Sequence, residues 1–189
     1  MPKSKATPLL VIIGAVVIAV GIALYLFQKY SNAEGSAQTT EGGTAAANPA
    51  PGGGRVRGAS DPKVTLIEYG DYQCPTCGIY HPITMELLNR YPGKFKLEFH
   101  HFPLIQMHSN AMGAALAAES AGDQGKFWEM HDMLFEHQQA WGDLRNPNPN
   151  AEAVFLQYAL MLGLDSNKFM QSMRSPATRD RVLADVTKG

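Results

Sequence analysis

The chain has 189 residues, with 16 Lys and Arg against 17 Asp and Glu, and a net charge of -1 at pH 7 excludes the strongly basic surface that nucleic-acid binding requires. A length of this order holds one domain of ordinary size, or a smaller one with appendages. The only two cysteines, Cys74 and Cys77, belong to one Cys-Pro-Thr-Cys run, which excludes a structural disulfide framework because such a pair closes almost no loop.

Along the chain, the first element is apolar. From Leu9 to Phe27 no residue is charged and nearly all are apolar, and a helix of this length spans about 28 Å, the thickness of a bilayer core. Lys3, Lys5 and the terminal amine precede this run and Lys29 follows it. The positive-inside bias therefore predicts a cytoplasmic N-terminus, with residues 1–30 as tip and single-pass transmembrane anchor in the cell membrane. Signal-peptide cleavage is the alternative, since Ser31 and Ala33 are the small residues such a site needs. Either way, the remainder of the chain is expected outside the cytoplasm.

Residues 31–60 are mostly Gly, Ala, Ser, Thr, Asn and Pro. This composition predicts a flexible tether with a reach of about 30 Å. Large apolar residues become frequent only after Asp61, so residues 61–189 are expected to build the core. That segment holds 15 acidic residues and 11 Lys and Arg, alternating in sign as solvated faces do.

Val64 to Tyr69 is dense in β-branched and apolar side chains and reads as a buried strand between Pro62 and Gly70. After Cys74, the residues Ile79, Ile83, Leu87 and Leu88 recur at helical spacing, and Pro75 falls in the first turn, where its missing N–H costs nothing. Pro92 and Gly93 make a turn. Phe95, Leu97 and Phe99 then alternate with Lys96 and Glu98 as a second strand. A βαβ unit of this kind has parallel strands and a right-handed crossover, which makes the domain α/β. Helices follow over Asn110–Ala121, Gly125–Gln139, Ala151–Leu162, Ser166–Met173 and Ser175–Thr187, with Asn110, Asn150 and Ser166 as N-caps and Gly122 and Gly163 near their ends. Met112, Met130, Met133, Met161, Met170 and Met173 read as core or groove filler.

A thiolate, not a thiol, attacks a disulfide, so a working redox cysteine needs a stabilised anion. Cys74, where the strand-to-helix connection ends, is placed for this by the unpaired N–H groups and macrodipole of the helix N-terminus. Cys77, one turn further in, closes the ring. A zinc site is the alternative for a Cys-x-x-Cys pair, but it needs two more ligands, and no second pair exists. His131 and His137 on one predicted helix are the nearest to a ligand spacing and read as its polar face. The sequence thus predicts no metal and no cofactor. His100 and His101 close the second strand, as structural or solvated groups or as residues near the cysteines. Glu68 lies six positions before Cys74 in an apolar strand; it is either an exposed edge residue or a buried carboxylate able to accept the Cys77 proton.

The run Ile67-Glu68-Tyr69-Gly70-Asp71-Tyr72-Gln73-Cys74-Pro75-Thr76-Cys77, with His100-His101-Phe102-Pro103-Leu104 and Gly125-Lys126-Phe127-Trp128-Glu129-Met130-His131-Asp132, resembles the DsbA-like thiol:disulfide oxidoreductases, especially their membrane-anchored bacterial branch. The resemblance covers residues 61–189. It implies a thioredoxin-like fold with a helical insertion, in which Cys74 is the exposed nucleophile and Cys77 its disulfide partner. Pro75 and Thr76 tune the redox potential by position, and Glu68 matches an acidic residue beneath the pair. The family continues past the insertion into a cis-proline loop, two strands and a helix, which this sequence lacks, so the domain is expected to be truncated or completed by another chain. The implied function is an oxidase of exported cysteine-containing proteins, reoxidised by a membrane protein of the DsbB or VKOR type, with no nucleic-acid partner. A reductase or isomerase is the same chemistry run otherwise, and a non-catalytic membrane-tethered binding module is the reading from a different class.

Overall fold

The computed structural model describes residues 53–189, all within the compact unit Ala45–Gly189. The transmembrane anchor expected over residues 1–30, and the tether up to residue 52, lie outside the described residues. Among the described residues no helix is long and apolar enough to cross a membrane.

In chain order the elements are β1 (Arg55–Gly58), β2 (Val64–Gly70), α1 (Pro75–Arg90), β3 (Phe95–His101), α2 (Ala111–Gly122), α3 (Phe127–Glu136), α4 (Gln138–Trp141), α5 (Ala151–Met161), α6 (Ser166–Met173) and α7 (Pro176–Val186). The expected βαβ unit is present, with β2 parallel to β3 from Val64 opposite Phe95 to Gly70 opposite His101. The sheet has three strands rather than two, in the order β1-β3-β2.

The extra strand comes from residues whose composition reads as tether. Arg55 to Gly58 pair antiparallel with Phe99 to Lys96. Glycines before it and two arginines within it hide the strand pattern, yet Arg55 is buried because its guanidinium meets Glu119 of α2 through Nη2–Oε2 at 2.7 Å and Nε–Oε1 at 3.0 Å. Its partner lies 64 residues away. A charge of this kind goes inside only when paired, and sequence does not reveal such a partner.

β3 is the central strand, and Leu97 and Phe99 are fully enclosed between its neighbours and the helices. The alanines of α2 allow close approach of α3, α6 and α7, so that Ala114, Ala117, Ala118 and Ala121 join Met130, Leu134, Phe155 and Phe169 in one core. β2 departs from the expected buried strand. It is an edge strand, with Val64 and Ile67 more than half exposed and only Leu66, Glu68 and Gly70 turned inward. Density of large apolar residues does not separate a strand covered on both faces from an edge strand covered on one.

The later helices fall close to their expected positions, and their caps differ. Asp165, not Ser166, caps α6 by accepting from the N–H groups of Asn167 and Lys168. Asn110 precedes α2 but spends its side-chain amide on the carbonyls of Trp141 and Asn148. Of the methionines, Met130 and Met173 are core, whereas Met161 is exposed.

Candidate functional site

The strand-to-helix connection Asp71–Gln73 is anchored at every residue. The buried Asp71 carboxylate accepts from the Gln73 N–H at 2.7 Å and forms a turn of the kind Asp favours. Its second oxygen accepts from the Leu104 N–H at 2.9 Å and from His108 Nδ1 at 2.6 Å. Tyr72 is buried among Phe99, Phe135 and His131 and bonds through its hydroxyl to His131 Nδ1 at 3.0 Å. Gln73 accepts from the Asn110 N–H and donates to the Gly142 carbonyl. Gly70 at the head of this connection has no room for a side chain, since a Cβ there would lie 2.2 Å from the Phe99 ring.

This fixed connection delivers Cys74 to the N-cap of α1, with Pro75 in the first turn. The Cys74 backbone is extended, its N–H donates to the Asp71 carbonyl, and its own carbonyl receives the Gly78 N–H at 3.1 Å. No side chain caps this helix and no acidic residue lies in its first turn, so the dipole end acts on the cysteines without competition. Both cysteines are free thiols and both are half-buried. Cys77 packs against the core. Burial pushes the Cys77 thiol up to about 11; the Asp71 N–H pulls the other way, and the charge of Cys74 and its hydrogen bond to the Cys77 thiol add to the rise. The two thiols are thus electrostatically linked. Pro75 and Thr76 between them are exposed.

Gln138, the first residue of α4, clamps this site from the helical layer. Its Nε2 donates to the Tyr72 carbonyl at 2.7 Å and to the Cys74 carbonyl at 2.9 Å. A side chain at Gly78 would meet the Gln138 amide at 3.1 Å, so the glycine lets the clamp close. The sequence reading missed Gln138 because nothing local marks a glutamine that acts across 64 residues. Asp71 was open to discovery as the Asx-turn residue before a helix start.

Glu68 points to the inner face of β2 with Leu66 and Gly70, which decides against the exposed edge position. Burial raises its carboxyl pKa. His100 and His101 are buried and structural. Both ring nitrogens of His100 face carboxylates at 3.0 Å, from Glu98 and from Asp185 of α7, and His101 Nε2 lies 3.1 Å from Glu119. The polar-face reading of His131 and His137 holds for one of them. His137 is exposed beside Tyr158, whereas His131 sits at the centre of an aromatic cluster, fully buried. Helical spacing put Phe127, Leu134 and His131 on one face, and that face is the core.

The thioredoxin family model matches residues 50–187. The chain belongs to the thioredoxin family. Its fold is also that of a thioredoxin-like oxidoreductase from Silicibacter pomeroyi, 24% identical with a TM-score of 0.57 over 71% of each chain. Alpha-DsbA1 from Wolbachia pipientis is similar too, 20% identical with a TM-score of 0.58 over 74% of this chain and 68% of its own. A stretch of 131 residues, 69% of this chain, is 42% identical to the Na(+)/H(+) antiporter NhaA 1 of Salinispora arenicola. That stretch is 19% of the relative, so the chain spans about a fifth of the length of the curated relatives it matches. This thioredoxin-family domain therefore places its Cys-x-x-Cys pair at the start of α1, on a connection held from both the loop after β3 and the helical layer.

Proposed function

We propose that this chain is an extracytoplasmic thiol:disulfide oxidoreductase of the DsbA type that donates disulfides to exported proteins through Cys74 and Cys77. The observation that carries the reading is the asymmetry of the pair: Cys74 occupies the N-cap position of α1, while Cys77 is held one turn inside with its thiol near 11. In the oxidised state a substrate thiolate attacks Cys74 Sγ. The Cys74–Cys77 bond breaks, and Cys77 leaves with the electron pair and takes up a proton, which its high pKa favours. A second substrate thiolate then attacks the substrate sulfur of the mixed disulfide and releases Cys74 as the thiolate. The substrate loses two electrons and gains a disulfide; the protein holds two reduced cysteines. Cys74 is the sulfur that leaves because it carries the mixed disulfide at the start of α1.

Pro75 and Thr76 tune the potential from within the ring, and Glu68 serves as the inward carboxylate that exchanges a proton with Cys77 when that thiol must attack. A membrane redox protein of the DsbB or VKOR type reoxidises the pair. The apolar run Leu9–Phe27 anchors the protein in the cell membrane, with the tether carrying the domain outside. The ion exchange in the names of the longer relatives is not carried over to this chain.

The test is the reduction potential of the full chain together with turnover of a reduced, unfolded protein. An oxidase gives a value near that of DsbA, about -120 mV, and forms disulfides in the substrate. A value near that of thioredoxin, about -270 mV, moves the reading to a reductase. Absence of any thiol–disulfide exchange leaves the binding module.

A further inference from the structure

One turn along α1 from Cys77, on the same face of the helix, three potential ligand side chains converge from two helices. His81 comes from α1, and His131 and Asp132 are neighbours on α3. One ligand atom from each lies within 4.8 Å of the others, and His81 Nε2 is 3.9 Å from Asp132 Oδ1. We infer that His81, His131 and Asp132 form a binding site for a divalent transition-metal ion of the zinc class.

The strongest sign is an unsatisfied atom. His81 is 5% exposed, and its Nε2 has no hydrogen-bond partner. A buried polar atom without a partner is destabilising, so its retention calls for a reason. Coordination supplies one. The ring plane of His81 is fixed by stacking on Phe135 at 5.0 Å, which aims Nε2 rather than leaving it to rotate. His131 is held by the Tyr72 hydroxyl on Nδ1. With Nδ1–H donating to that oxygen, Nε2 becomes the free lone pair, the outer-shell arrangement that metal-binding histidines use.

Two imidazoles and a carboxylate suit zinc and its neighbours rather than calcium or magnesium, which take oxygen ligands. Ligand atoms around tetrahedral zinc stand about 3.3 Å apart, given bond lengths of about 2.0 Å, so the cluster must contract by up to about 1.5 Å. Of the three side chains, His81 also lines an open groove of about 510 Å³ with Pro82, Met85 and Glu136. Arg57 is the present counter-ion. Its Nη1 donates to both Asp132 oxygens at 2.8 Å, and its side chain is 35% exposed, so an entering cation displaces it into water. The sequence gives no hint, since the ligands come from two distant helices in no finger-like spacing.

The experiment uses the full chain carrying Cys74→Ser and Cys77→Ser, so that thiolates take no metal. Titration calorimetry with zinc chloride is expected to saturate at one ion per chain. Adding His81→Gln should weaken binding about tenfold or more. Absence of binding, or affinity that survives His81→Gln unchanged, overturns the site. A second readout needs only the parental double-serine chain. Cobalt(II), which takes zinc-type sites, quenches indoles a few ångströms away, and the Trp128 ring is 4.9 Å from His131. Tryptophan emission should fall in step with cobalt occupancy; emission unchanged at saturating cobalt rejects the assignment by itself.

Discussion

The side-chain amide of Gln138 donates to the Cys74 carbonyl at 2.9 Å, on the same carbonyl that receives the Gly78 N–H of the first helical turn. The buried glutamine therefore fixes the N-cap peptide on which the geometry of the cysteine ring depends. Replacing it by leucine leaves the carbonyls of Tyr72 and Cys74 short of a donor in an enclosed site. The expected cost is about 1–3 kcal/mol of stability. If the protein has the proposed activity, exchange with a small disulfide also slows, because the attacking sulfur loses its fixed position. Urea unfolding and stopped-flow exchange measure the two effects. A variant as stable and as fast as the parent would remove Gln138 from the site.

The thiol of Cys77 near 11 gives a second expectation. A raised thiol pKa keeps the group protonated, so its reactive fraction at pH 7 is about one part in ten thousand and grows tenfold per pH unit until the pH approaches 11. Alkylation of the reduced chain with limiting iodoacetamide at pH 7 should therefore modify Cys74 and spare Cys77. Peptide mass mapping across a pH series checks this. Equal labelling of both cysteines at pH 7 contradicts the asymmetry on which the proposed direction of exchange rests.

Much of this arrangement is legible in the sequence, and the boundary of what is legible has a physical cause. The strand–helix–strand unit around Cys74 follows from local periodicity, from Pro75 in the first turn and from the Pro92-Gly93 turn, all of which act within a few residues. β1 and the Gln138 clamp do not follow. Each depends on a polar side chain finding a partner more than 60 residues away, Arg55 on Glu119 and Gln138 on Cys74, and no periodicity marks such a partner. His131 marks a different boundary. Its position on the inner face of α3 was readable, but its polar type argued for solvent, and only the Tyr72 hydroxyl and the surrounding rings explain its burial.

Glycine at position 70 is set by the same packing. A Cβ there would lie 2.2 Å from the Phe99 ring, and Phe99 is fully enclosed on the central strand. Gly70→Ala is expected to lower stability by about 1–3 kcal/mol, the cost of overpacking a filled core. The second change Phe99→Leu should recover part of that loss, since it withdraws the ring atoms that meet the new methyl. Thermal unfolding of the two single variants and the double variant forms the cycle that tests the coupling. Additive losses would show that the contact does not govern the glycine.

Glu119 ties three elements to α2 and sets the acid limit of the fold. Burial works against its charge, but hydrogen bonds from His101 and Arg55 and the charges of both prevail and hold its carboxyl far below the ordinary range. Arg181 of α7 donates to the same carboxylate through Nε at 2.7 Å. A carboxyl whose pKa is depressed by folding binds fewer protons in the native state than in the unfolded one. Its contribution is complete above the unfolded value of about 4.3 and is lost as pH falls toward the folded value. The loss approaches about 1.4 kcal/mol for each unit below pH 4. Glu119→Gln removes the carboxylate that pairs with the buried Arg55 and with His101 and Arg181, and at pH 7 it should cost about 3–5 kcal/mol. The gap between the parent and Glu119→Gln should then narrow steadily as pH is lowered from 5 to 3, because the unfolded parent takes up a proton on this carboxylate that the folded parent does not. Denaturant unfolding at each pH gives the gap directly. A gap that stays constant through this range would mean that Glu119 contributes by its shape rather than by its charge.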